Sequence, residues 1–78
     1  MCLSVPMKVE DIDGMKARCT ALGEERWVDL TLMADAPPAV GTYIQVSLGF
    51  AQREVPEEEA LQAYDLFGEI LDALNSAS

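Results

Sequence analysis

The apolar residues of this chain change their spacing once, at Pro56, and that change limits the folds open to it. Before Pro56 they recur every second residue. Met15, Ala17, Cys19 and Ala21 alternate with Lys16, Arg18 and Thr20, and Val28, Leu30 and Leu32 share one face of a stretch from Trp27 to Leu32. Ile44, Val46 and Leu48 do the same between Tyr43 and Leu48. A period of two is that of a half-buried strand. After Pro56, the residues Ala60, Leu61, Tyr64, Phe67, Leu71 and Leu74 recur at spacings of three and four. They predict one apolar stripe on a helix. Proline needs no N–H partner in a first helical turn, and Glu57, Glu58 and Glu59 suit the positive end of the helix dipole. We expect the helix over about 56–74, with Gly68 costing ~1 kcal/mol relative to alanine and Asn75-Ser76-Ala77-Ser78 as a frayed tail.

Turn chemistry divides the first part. Leu3 to Ile12 reads as an extended segment, ended by the hairpin signal Asp13-Gly14. Gly23-Glu24 reads as the next turn. Ala36-Pro37-Pro38-Ala39 cannot continue a ladder, because proline lacks the N–H, and Gly41 closes that loop. Gly49 ends or bends the strand before it. Four or five short strands followed by one helix predict a mainly β fold, a small closed or nearly closed barrel over about 2–55 within a single domain, 1–78. We expect the helix to dock on the barrel, since so small a barrel needs the extra burial. A projecting helix would instead leave its stripe as a partner surface.

Composition excludes several functions. Fourteen Asp and Glu against five Lys and Arg give a net charge of -9, and no cation follows Arg53. Such a chain repels nucleic-acid phosphates and anionic lipid, so neither is expected as a partner. No apolar run approaches the ~18 residues of a membrane span, and the start lacks the charged and apolar regions of a signal peptide. The expected location is the cytoplasm, with reduced thiols. The chain has two Cys and no His. It therefore cannot build a closed structural zinc site alone, nor supply an imidazole base to a nucleophile. The carboxylates of Glu24-Glu25 and Glu57-Glu58-Glu59 have no apolar surroundings in sequence to raise their pKa values. The glycines are dispersed at turns, not gathered in a phosphate loop. An ordinary enzyme is not expected.

The two cysteines differ. Cys19 falls on the apolar face of a strand and reads as a small buried hydrophobe. Cys2 stands behind the initiator Met1. With Met1 removed, its thiolate and α-amine could bind one metal atom in a five-membered chelate, releasing protons as they do so.

The opening Met1-Cys2-Leu3-Ser4-Val5-Pro6 resembles that of the HypC/HupF/HybG-type hydrogenase maturation chaperones. So do Val28-Asp29-Leu30-Thr31-Leu32, Val46-Ser47-Leu48-Gly49-Phe50-Ala51 and the acidic helix start Glu57-Glu58-Glu59-Ala60. The resemblance implies an OB-like barrel with a carboxy-terminal helix, acting as an accessory protein and not as an enzyme. It implies a transient iron cargo, Fe(CN)2CO, with no cofactor in the isolated protein. The implied partners are a HypD-type maturation protein and the precursor of a [NiFe]-hydrogenase large subunit. The implied iron ligand is Cys2; Leu3, Val5, Pro6, Gly49, Phe50 and Ala51 would shape the site or contact a partner. Two positions depart from the family pattern: Met7 stands where Gly is usual, and Ser47 where His is common. The alternative reading is a metal-free acidic adaptor that binds a protein through its helix.

Overall fold

The computed structural model describes residues 5–77, with side-chain surroundings through residue 74. Five strands come first: β1 Met7–Asp13, β2 Lys16–Ala21, β3 Glu24–Asp29, β4 Tyr43–Ser47 and β5 Phe50–Val55. One helix, α1 Glu57–Ala77, follows them. The strands close into a barrel in the order β1-β2-β3-β5-β4. The fold is mainly β, as the period change at Pro56 predicts.

Closure is uneven. β1 and β2 pair antiparallel from Lys8↔Thr20 to Asp13↔Lys16, with Glu10 as the extra residue of a bulge between Val9 and Asp11. β4 and β5 pair from Tyr43↔Val55 to Ser47↔Phe50, again with a register shift. By contrast β1 meets β4 only at Met7↔Ile44 and Lys8↔Tyr43, and β3 meets β5 in parallel at Asp29↔Phe50 alone. The Asp29 N–H donates to the Gly49 carbonyl at 2.9 Å beside that rung. The result is the partly open five-stranded barrel typical of OB-like folds.

The core is small and aliphatic. Met7, Val9, Ala17, Cys19, Val28, Leu30, Ile44 and Ala51 are buried together, with Ile12, Ala21, Met33 and Val46 packed against them. Fully burying one Val, Leu or Ile is worth ~1.5–3 kcal/mol, so these few side chains carry most of the barrel. Between β3 and β4 a 3₁₀ turn, Thr31–Met33, follows Leu30 and packs Met33 on the core. Asp29 Oδ1 accepts hydrogen bonds from the Thr31 N–H at 2.8 Å and the Thr31 hydroxyl at 2.5 Å. Those bonds hold its carboxyl below the ordinary range, with Lys16 adding a smaller effect of the same sign.

Several local expectations shift by a residue or two. Leu32 does not continue the face of Val28 and Leu30, because the chain leaves the sheet at Leu30; Leu32 is exposed. Met15 lies in the β1–β2 turn and is also exposed, since Asp13↔Lys16 closes the ladder around Gly14-Met15. The β2–β3 turn is Leu22-Gly23 and the β4–β5 turn is Leu48-Gly49; all four residues have positive φ (50°, 86°, 55° and 83°). Two successive positive φ values are the backbone of a type I′ turn, which matches the twist of the flanking strands. Glycine enters that region without strain, but leucine is an outlier there.

The helix docks only in part. Ala60 is fully buried with Val55 and Tyr43, and Tyr64 packs against that cluster. Beyond Tyr64 the stripe opens out: Phe67 is half-buried, and Ile70, Leu71 and Leu74 are all exposed. The molecule accordingly measures 44 × 23 × 20 Å, drawn out along the helix. Helical backbone continues through Asn75 and Ser76 to Ala77, where the sequence suggested fraying.

Candidate partner-binding groove beside the amino-terminal strand

The unfilled space between barrel and helix forms a groove of about 820 Å³. One wall is Leu22, Trp27 and Val28 from the β2–β3 hairpin, the other Phe67, Ile70 and Leu71 from α1. Val5, Met7, Val46 and Gly49 line it as well, and Glu24 and Arg26 are its charged residues. Those two pair with each other at 3.2 Å, as Arg18 and Glu25 do at 2.9 Å. Both pairs are solvent-exposed and add little stability. Their effect is to leave the hairpin locally neutral beside the groove.

Tyr64 holds the helix to the barrel. Its hydroxyl donates to the Pro6 carbonyl at 2.5 Å, and its ring meets Tyr43 edge-on with centroids 5.8 Å apart. Burial first, and the neighbouring Tyr43 second, push the Tyr64 phenol up to about 12, so it remains a donor at neutral pH. The contact ties the helix to Val5-Pro6, the segment that leads into β1. Tyr64 and Trp27 carried no sequence signal beyond their places in a stripe and a strand. The nearest hint was an aromatic within the stripe, since a buried phenol requires an acceptor.

The residues named from sequence do not all meet. Val5 and Gly49 line the groove, and Pro6 is buried under Tyr64. Phe50 is partly exposed on the single rung that joins β3 to β5. Ala51 faces inward and is fully buried, so it acts in packing and offers no surface. Ser47 ends β4 opposite Phe50. Cys2 and Leu3 lie outside the described residues. Among the described residues, no group of three or more Cys, Asp or Glu could hold a metal ion. Cys19 is a free thiol with no exposed surface, its S–H directed to the Ala17 carbonyl at 3.7 Å. Burial, with the Glu10 carboxylate adding to it, pushes that thiol up to about 11. It is protonated and shielded, the opposite of a reactive thiolate.

The family model described as the HupF/HypC family matches residues 1–67. The chain belongs to the HupF/HypC family. A hydrogenase expression/formation protein HupF from Bradyrhizobium diazoefficiens is 39% identical over 77 residues, covering 99% of this chain and 72% of its own. The hydrogenase maturation factor HypC of Escherichia coli is 36% identical over 76 residues, covering 92% of this chain and 84% of its own. HypC of Cupriavidus necator is 34% identical over 71 residues, covering 90% and 77%. HupF/HypC proteins are maturation chaperones and not enzymes. Among the described residues, no helix is long and apolar enough to cross a membrane.

Proposed function

We propose that this HupF/HypC protein is an accessory factor in [NiFe]-hydrogenase maturation that holds or shares an Fe(CN)2CO group through Cys2. It would receive the group with a HypD-type maturation protein and deliver it to the large-subunit precursor. The observation that carries this reading is the state of the other thiol. The sequence contains two Cys, and Cys19 is sealed in the core and protonated. A soft thiolate ligand for low-valent iron then has one source, Cys2.

Chain geometry supports the same reading. Cys2 lies three residues before Val5, so its Cα stays within about 11 Å of Val5 on any path. Iron held there would be joined by a short length of chain to Val5, a groove residue that a partner could also touch. A single thiolate, with or without its amine, leaves coordination positions open. That suits a cargo passed onward better than a closed cage does.

Comparing Cys2→Ala with Cys19→Ala tests the proposal, with both variants co-expressed with the maturation partners. Cys2→Ala is expected to abolish hydrogenase maturation and the cyanide and carbonyl infrared bands of the purified complex. Cys19→Ala should lower stability and keep both. Unchanged maturation and bands in Cys2→Ala would defeat the iron-carrying role. The metal-free adaptor reading draws on the exposed groove and predicts that outcome, with binding lost instead on reversing the charges of Glu57, Glu58 and Glu59.

A further inference from the structure

Strand β3 has a bare edge. Toward β2 it is paired along its whole length, from Lys16↔Asp29 to Ala21↔Glu24. Toward β5 only Asp29 is matched. Which backbone groups face the bare side follows from the hairpin. A two-residue turn at Leu22-Gly23 makes Ala21 and Glu24 a hydrogen-bonded pair, and such pairs then alternate along the ladder. Residues 24, 26 and 28 therefore bond to β2, while 25, 27 and 29 point their N–H and C=O groups outward. Asp29 fixes that parity independently, since its N–H reaches Gly49 on the β5 side. Glu25 and Trp27 carry the same outward groups, and no described strand pairs with them.

An open edge is a template for another strand, and proteins usually blunt it with charge, proline or a covering element. Here the charges are spent within the hairpin, Glu25 on Arg18 and Glu24 on Arg26. The edge also borders the apolar groove, and Trp27 is left 54% exposed along it. Opposite lie the half-buried Phe67 and the exposed Ile70 and Leu71 of α1.

We propose that β3 and the groove together receive an extended segment of a protein partner, alternating apolar and basic residues, which adds to the barrel as a strand. Edge pairing requires an extended chain, and alternation puts every second side chain on the apolar wall. The sign of the other side chains follows from α1, which carries Glu57, Glu58, Glu59, Asp65, Glu69 and Asp72 and no Lys or Arg of its own, with Arg53 of β5 pairing to Glu59 at 3.1 Å. A second copy of this chain is the wrong occupant, because it brings another net charge of -9. This inference rests on the reading that the protein works by engaging maturation partners.

The test follows amide exchange in the isotopically labelled protein, free and then mixed in turn with the HypD-type maturation protein and the large-subunit precursor. In the free protein the Arg26 and Val28 amides should exchange slowly and those of Glu25 and Trp27 fast. In one of the two complexes, Glu25 and Trp27 should slow by roughly tenfold or more, their outward amides now being paired. Glu25→Pro deletes one outward N–H and leaves the β2 ladder intact, whereas Glu25→Ala keeps it. The proline variant should bind at least roughly tenfold more weakly than the alanine variant. Complexes that form with the Glu25 and Trp27 amides unchanged, or with Glu25→Pro binding as Glu25→Ala does, overturn strand addition and leave the delivery role standing. Failure of the unaltered protein to bind either partner overturns the delivery role and strand addition with it.

Discussion

The two halves of α1 carry the same kind of stripe and meet different surroundings. In the first half, Ala60 is sealed against Val55 and Tyr43, and Tyr64 is bonded to Pro6. In the second, Ile70, Leu71 and Leu74 stand open to solvent along the groove or beyond it. Helical periodicity reports that a helix has an apolar face and says nothing about whether the molecule covers it. The first half holds the helix on the barrel. The second leaves its apolar residues uncovered.

Substitutions along the helix probe that division, beginning where the effect is largest. Ala60→Glu puts a charge into the only fully buried position of the described helix. It should cost on the order of 3 kcal/mol, read from denaturant unfolding. Leu74→Glu is the matching change in the open half and should stay within about 0.5 kcal/mol of the parent. A large loss at Leu74 would mean that the second half is docked in solution. Tyr64→Phe keeps the ring and removes the bond to Pro6, and about 1 kcal/mol should be lost.

The pH profile sharpens the same contact. The Tyr64 phenol is raised in the folded state from its ordinary value near 10 to about 12. Above pH ~10 the unfolded chain releases this proton before the folded one does, so stability falls as pH rises through that interval. Below pH ~10 the contribution is fully present. Tyr64→Phe should flatten that part of the curve. Gly68→Ala should act in the opposite direction: an added Cβ meets nothing within 4 Å. Helicity should rise, and stability should increase by up to about 1 kcal/mol by thermal melting.

Much of the barrel was legible in the alternation of Ala17, Cys19 and Ala21 and of Val28 and Leu30, all buried or partly buried as that pattern requires. The expectation failed where strands end. Leu48 continues the alternation of Ile44 and Val46, yet it sits in the turn, almost wholly exposed. Leu22 displaced the preceding turn by one residue in the same way, because leucine is not a residue that announces positive φ. The site was less legible than the fold. Tyr64 and Pro6 are 58 residues apart, and local pattern carries no information about such a contact. The bare edge of β3 was hidden for a similar reason. It depends on β5 meeting β3 at one position, which is a property of the closed barrel and of no single segment.

The leucines at the turn tips carry backbone strain. Leu48 holds φ of 55° while 96% exposed, so it takes on backbone strain with no compensating burial. A left-handed conformation costs such a residue ~1–2 kcal/mol, and asparagine enters it more readily. Leu48→Asn should therefore raise the melting temperature by roughly 4–8 °C for each kcal/mol recovered in a domain of this size. On that expectation, heat tolerance rises from a change at a single exposed turn without touching the core.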